Sequence, residues 1–586
     1  MPVILPPVQE LLNDGYEESL TRVTDNRRVL IMTILLLIER FTAMNPPDDP
    51  ESNTCSDAGS TSPSGDVQYS SDISRRWEKI HDDMKQLPLI GGVRGTTIAA
   101  VYENISTRRN ILPDYPLPVV GFSCMTREPA DEGIPGLIDD AIAQVLGPHG
   151  LSAIIRPGDR VVIKVNIVGP SQGLPGEKGR GIISDPRIVR YVAGKVREII
   201  GFGGTADLKV IDATFTPEKD PSDKKNPQSF HYARLQRSAG KTVDENDVCY
   251  DYNADGVLDG GSGAELVNLD SVPMSERFLT VIEEPIRGRS EVWLPKFLRT
   301  KGQAQGEADY CDVYIGIPIL KSHGFCGMTG ALKLHWGSML GLLEKQEHAG
   351  YGFGTGDIRQ FLDYLCAMNR ARGFDFVIMD ALTGNRCGPA NNVDDWDAKT
   401  DFILMNAILC SKDSVAIDTV ETLLAGFQLD SIPLLESAFR DGIGINKPAY
   451  IDLKGFDAFT CHKRWLRETY PGCGPGSYPL QAGMGNARIH EDFNAPVDVT
   501  VSSRKERQGY LFEYTASEPT PCNHKLARID LLVNGTVVRR LVENLTGGRL
   551  SVSLEEFRNK NVRYQIAAWD NALNCTLSEE KEMKVA

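Results

Sequence analysis

The stretch from Tyr310 to Ser338 reads YCDVYIGIPILKSHGFCGMTGALKLHWGS. Val313 to Leu320 is an apolar, β-rich run bounded by turn residues. That is the pattern of a strand buried on both faces of a parallel sheet. The run gives way at Lys321, Ser322 and His323. A segment with Gly324, Gly327 and Gly330 follows, then Lys333 and His335. Ligand sites in open α/β sheets lie outside the carboxyl ends of strands. Two lysines and a histidine on a Gly-rich loop there predict an electropositive pocket for a phosphate, a carboxylate or a developing oxyanion. Phe325, Met328, Leu332 and Trp336 make the loop too apolar to be merely solvated. His335, beside Trp336, reads as packing.

Outward from this stretch the chain keeps an α/β rhythm. IPGLIDDAIAQVLG from Ile134 has helical spacing, and RPGDRVVIKVNIVGP is a turn, a buried strand and a polar exit at Lys164 and Asn166. DPRIVRYVAGKVREIIGFGG, beginning at Asp185, is a helix with Pro in its first turn and Gly after its end. LKVIDAT is a strand ending at Asp212, and FDFVIMDAL a strand ending at Asp380. DFILMNAILCSKD is another strand, SVAIDTVETLLAGF a helix containing Asp418, and YIDLKG a short last strand. The fold expected over residues 91–460 is α/β, a parallel or mostly parallel sheet with flanking helices. A first strand, TTIAAVYENIS, is expected just after Arg94.

Residues 216–300 interrupt this rhythm as a polar, turn-rich insertion. Within it, Asp251, Asn253, Asp255, Gly256 and Asp259 match the ligand spacing of a calcium loop, with Ser262 where the bidentate Glu would stand. A Gly/Asp-rich turn accounts for the same residues. After an irregular connector, 461–495, residues 496–586 alternate like short strands between turns. They predict an immunoglobulin- or fibronectin-like β-sandwich, with a hairpin at Asn534-Gly535. Such a module suits packing, or contacts with proteins or surfaces.

Residues 1–90 read as an N-terminal extension, and 44–75 have the composition of a disordered linker. Arg27 and Arg28 precede a ten-residue apolar run, Val29 to Ile38, too short to span a bilayer. It fits an export signal or a buried helix. Under the export reading the protein is periplasmic or extracellular, and Cys461–Cys473 and Cys522–Cys575 suit disulfides. Free buried cysteines suit those positions equally. A length of 586 residues favours several domains. The net charge of -16 argues against broad nucleic-acid binding. The twelve cysteines contain no CxxC, which argues against iron–sulfur segments or a structural zinc module.

Taken in order, RPGDRVVIKVNIVGP, SDPRIVRYV, the opening stretch, FVIMDALTGNRCGP, SKDSVAIDTV and ESAFRDGIG resemble the domain of unknown function 362 family, over roughly residues 115–456. The family pattern falls on Lys164 and Asn166, on Lys321, His323, Thr329, Gly330 and Lys333, on Gly384, Asn385, Gly388 and Pro389, and on Asp418. Arg386 and Cys387 depart from it, as does Thr383 in place of an acidic residue. The opening stretch also resembles, locally, the lactate racemase family. There the histidine is an acid/base candidate and the lysine ten residues on anchors a nickel-pincer nucleotide. His323 and Lys333 have that separation.

Three functions remain open on these residues. The first is an enzyme for a small anionic organic molecule. Its catalytic set is His323, Lys333 and Lys321, and its binding set is Lys164, Asn166, Asp185, Thr329, Gly330, Asp380 and Asn385. The second is a metal- or cofactor-dependent redox or racemase-like protein. The third is a non-catalytic binding or surface protein stabilised by calcium at Asp251, Asn253, Asp255 and Asp259.

Overall fold

The computed structural model describes residues 118–586, apart from 126, 168–180, 203–206, 214–227, 230–231, 235–247, 251–260, 270–271, 273, 287–288, 325, 339–357, 387–401, 456–476, 480–485, 491–493, 508 and 521–523. The apolar run at 29–38, the strand expected near Arg94, the calcium-loop residues Asp251, Asn253, Asp255 and Asp259, and Cys461, Cys473 and Cys522 lie outside the described residues.

A ten-stranded mixed sheet organises the α/β body. Its strands in chain order are β1 (Val119–Cys124), β2 (Arg160–Val165), β3 (Asp207–Asp212), β4 (Glu265–Asn268), β5 (Val313–Ile317), β6 (Ile319–His323), β7 (Gly327–Met328), β8 (Phe376–Asn385), β9 (Phe402–Ser411) and β10 (Asp452–Lys454). The order across the sheet is β10-β1-β9-β8-β5-β2-β3-β4, with β6 paired to β8 and β7. The block β8-β5-β2-β3-β4 is parallel. Beyond it, β9 is antiparallel to both β8 and β1, and β10 runs parallel to β1.

Helices cover both faces, as a parallel sheet requires. On one face lie α1 (Ile134–Leu146) and α2 (Pro186–Ile200), whose apolar stripes meet Val161, Ile163, Ile315 and Ile378. On the other lie α3 (Gly330–Leu334), α4 (Ile358–Ala371), α5 (Ser414–Leu424) and α6 (Pro433–Arg440), packed on Val162, Tyr314, Val377 and Leu409. Successive residues of one strand thus feed opposite cores. Each fully buried Val, Leu or Ile contributes roughly 1.5–3 kcal/mol. The helix starts follow from local chemistry. Asp185 caps α2 by accepting from Arg187 N at 2.9 Å, with Pro186 at its first position. Asp413 caps α5 by accepting from Val415 N and Ala416 N.

The segment 216–300 is not wholly an insertion. β4 extends the sheet beside β3, and the hairpin Arg277–Ile286/Arg289–Pro295 sends Ile286, Val292 and Leu294 into the core. The apolar alternation of VWL within polar surroundings is what buries that edge.

The C-terminal region is antiparallel. Three strands (Val497–Glu506, Gly509–Ser517, Gly547–Val552) form one sheet, and five between Leu526 and Lys584 form another. Phe512, Tyr514, Ile529, Leu531, Tyr564 and Ile566 share a core. The tight hairpin falls at Asn534-Gly535, both with positive φ (52° and 79°), as a primed two-residue turn demands. Arg528 Nη1 donates to Ile451 O at 2.6 Å, tying the sandwich to the α/β body.

Candidate functional site

The site lies at the carboxyl edge of the parallel block. Lys164 is next to last in β2 and Asp212 closes β3. They form a buried ion pair, Lys164 Nζ with Asp212 Oδ1, and Nζ also donates to Val165 O at 2.6 Å. Asp212 further accepts from Ile167 N, and from Ala213 N at 2.8 Å. Burial pushes the Asp212 carboxyl up to about 6, against the pull of Lys164 and these N–H groups. Gly337 closes over the pair. A β-carbon there would lie 2.5 Å from Asp212 Oδ1 and 2.6 Å from Lys164 Nζ.

Lys321 and His323 are not loop residues. The apolar run does not stop at Leu320. It breaks at Pro318, which has no N–H for the ladder, and resumes as β6 through His323. Asp380 N donates to Pro318 O at 2.8 Å across the break. Ile319 then registers with Asp380 and Lys321 with Asn385 on β8, while His323 faces Gly327 on β7. The Gly-rich loop is therefore a tight hairpin followed by the one-turn α3, and its basic residues are built into the sheet. Lys164, Lys321 and His323 are 1, 0 and 2% exposed.

Lys321 Nζ donates to Ile182 O at 2.6 Å, and no carboxylate among the described residues pairs with it. Burial, then the neighbouring Lys333 ammonium, lowers the Lys321 amine well below the usual lysine range. Asp212 and Glu421 pull weakly the other way. Lys333, on α3, is partly exposed. Thr329 N donates to Lys321 O at 2.8 Å, and the Thr329 hydroxyl is buried with no partner among the described residues.

Two acids of α5 hold α3 and β6 in place. Asp418 accepts from Ala331 N at 2.6 Å and Leu332 N at 2.9 Å; Glu421 accepts from Lys321 N at 3.3 Å. Burial raises Asp418 to about 8. Burial, then the Asp418 charge, raises Glu421 well above the carboxylate range. Gly330, at φ +52°, is packed so closely that a β-carbon would lie 2.4 Å from the Asp418 carboxylate.

The remaining predicted residues form a second, adjoining group. Asp380 is not at a strand end but midway along β8. It accepts from Asp185 N at 2.8 Å and Leu382 N at 3.1 Å. Burial and the Asp185 charge raise its carboxyl to about 7. Asp185 itself is engaged by Arg187 as well as capping α2. Asn166 exchanges hydrogen bonds with Ser184: its N donates to Ser184 Oγ, and its O accepts from Ser184 N. Ser184 Oγ donates to Ile317 O at 2.6 Å, stitching β2 to β5. These residues set the strand ends; they do not join the lysine cluster. His335 stacks on Phe374 at 4.1 Å between ring centroids.

Glu421, Gly337 and Ser184 carry this geometry and were not anticipated. The available signal was α5 itself, a helix apolar on every side apart from its acids and hydroxyls, which must bury Asp418 and Glu421. Among the described residues no three His, Cys, Asp or Glu side chains gather to hold a metal ion, and none of their helices is long and apolar enough to cross a membrane.

No curated protein matches the chain. Among solved structures, it is similar to the fibronectin(III)-like modules of Clostridium thermocellum CbhA, at 18% identity over 15% of this chain and 94% of that one, TM-score 0.12. It is also similar to the Clostridium perfringens spore cortex lytic enzyme SleM, at 16% identity over 19% of this chain and 37% of that one, TM-score 0.13. At these TM-scores neither likeness bears on fold or function. A family model matches residues 273–422, the segment that contains β5 to β8, Lys321, His323, Lys333 and Asp418. The matching model is that of the family described as domain of unknown function (DUF362).

Proposed function

We propose that the protein is an enzyme acting on a small anionic organic molecule, a carboxylate or a phosphate, by acid/base chemistry at the lysine cluster. One observation carries the reading. Lys321 is fully buried, its amine donates to a backbone carbonyl, and the strongest charge acting on it is that of a second lysine, Lys333. A buried ammonium without a counter-ion is expensive, and the group answers by giving up its proton. A neutral amine of that kind is a base or a nucleophile at neutral pH. Lys333, partly exposed, supplies the positive charge that draws an anion in. Lys164 is committed to Asp212 and positions it, and Asp212, raised to about 6, holds or releases a proton near neutral pH. His323 is the second acid/base group.

The test can be run with the substrate unidentified. The protein is incubated in deuterated water with a panel of 2-hydroxy, 2-oxo and phosphorylated acids, and exchange of carbon-bound protons is followed by NMR. Exchange into at least one acid, lost in Lys321→Met and reduced in His323→Ala, supports the reading. Exchange that is equal in wild type and Lys321→Met sinks it, as does no exchange with any acid.

A further inference from the structure

A cleft of about 380 Å³ opens where the α/β body meets the sandwich, and it shares no lining residue with the lysine cluster. That volume lies within the range of small-molecule sites, roughly 300–1,000 Å³. The α/β body contributes Asp430, Glu436, Asn446 and Lys447; the sandwich contributes Lys525; His490 comes from the segment between them.

The wall is built rather than incidental. Asn446 is 2% exposed, and its Nδ2 donates to Glu436 Oε2 at 3.2 Å and Leu435 O at 3.4 Å. Its Oδ1 has no hydrogen-bond partner among the described residues. That oxygen is closed off from solvent, so Asn446 serves the cleft by fixing the Glu436 carboxylate. The His490 ring meets His524 edge-on, 4.7 Å between centroids, and His524 Nδ1 lies 3.0 Å from Asp570 Oδ2. Asn574 Nδ2 donates to the same carboxylate at 2.7 Å. His490 is thus backed by a buried polar network.

The charges around the cleft are mixed. Glu436 and Asp430 are acidic, Lys447 and Lys525 basic. Asp430 is paired with Arg488 at 2.6 Å, and Lys447 stands 4.0 Å from Glu436. Lys525 is exposed and has no ion-pair partner among the described residues. A purely anionic ligand would meet two carboxylates, and a purely cationic one two ammonium groups. We propose that this cleft is a second binding site, for a small zwitterion of the amino-acid or dipeptide class. Its ammonium pairs with Glu436, and its carboxylate faces Lys525.

The test is the melting temperature of the full chain, titrated with free α-amino acids and dipeptides beside their N-acetyl and amide derivatives, which lack one charge. At least one zwitterion is expected to raise Tm saturably, by about 1–2 °C or more. Its singly charged derivatives leave Tm unchanged, and Lys525→Ala weakens the binding about tenfold or more. Glu436→Gln weakens it likewise; since Glu436 also holds the buried Asn446, the exposed Lys525 variant decides if that protein fails to fold. The proposal is overturned by no shift with any zwitterion, by equal shifts from the singly charged derivatives, or by a shift that survives Lys525→Ala. A shift lost in Lys321→Met but kept in Lys525→Ala places the binding at the other site and overturns it too.

Discussion

In the sandwich, Arg528, Asp530 and Arg540 are 2, 3 and 4% exposed, about as buried as Lys321 and Glu421 in the α/β body. There each charge has its opposite beside it. Asp530 takes Arg540 Nε at 2.7 Å and Nη2 at 3.2 Å, and Arg528 Nε stands 3.1 Å away. Arg528 also lies over the Trp569 ring, and Arg540 reaches Asp452 of the α/β body at 3.5 Å. In the α/β body the charges are sorted apart. Among the described residues Lys321 has no paired carboxylate, and Asp418 and Glu421 accept from backbone N–H groups. A compensated cluster is a fastener, since each charge is held by its opposite. An uncompensated one shifts proton affinity, down for Lys321 and up for Asp418 and Glu421, which is what proton-transfer chemistry uses.

The difference can be broken at four points. Asp530→Ala strips the sandwich arginines of their shared partner and is expected to cost about 3–5 kcal/mol, read from the denaturant midpoint. Gly330→Ala forces a β-carbon onto the Asp418 carboxylate in a left-handed conformation. It should cost about 2–3 kcal/mol and disturb the lysine cluster through α3.

The third point concerns pH. Asp418 is raised from 3.8 to about 8, so between those values the native state holds a proton that the unfolded state has released. Its contribution is full below about pH 4 and lost as pH rises through 8. Asp418→Asn, which mimics the protonated acid, should flatten that decline in a stability profile from pH 4 to 9. An unchanged slope would mean that Asp418 is ionised in the fold. The smallest effect on stability is expected of Lys321→Met. Loss of a buried amine that has no counter-ion among the described residues, against one orphaned carbonyl, should leave the midpoint within about 1 kcal/mol of wild type. Set beside Asp530→Ala, that near-neutrality is the sharpest form of the comparison.

Much of the architecture was legible in residue patterns. The strands closing near Lys164 and at Asp212, the Pro186 start and Gly201 end of α2, the helix bearing Asp418 and the Asn534-Gly535 hairpin depend on local chemistry, which a chain displays openly. What was hidden depends on partners distant in sequence. Lys321, Ser322 and His323 look like a polar strand exit, and only pairing with β7 and β8 makes them a buried strand. Asp380 looks terminal because Thr383, Gly384 and Asn385 resemble a turn, yet β9 pairs with β8 as far as Asn385. Within the site, the expectation of a basic pocket described the lysines and overlooked Glu421, whose role arises from the meeting of α5 with β6.

The place of β1 in the sheet has a consequence for the protein's synthesis. β1 lies between β9 and β10, and Val119 pairs with Asp452. The first described strand is therefore flanked on both sides by strands translated long after it. At roughly 5–20 residues per second, β1 waits on the order of tens of seconds before both partners exist. Val120 and Phe122, fully buried in the finished protein, spend that time without their sheet. The sandwich, whose strands pair mostly with close neighbours in sequence, has no such delay. A nascent α/β body is accordingly the stage at which this chain most needs a chaperone.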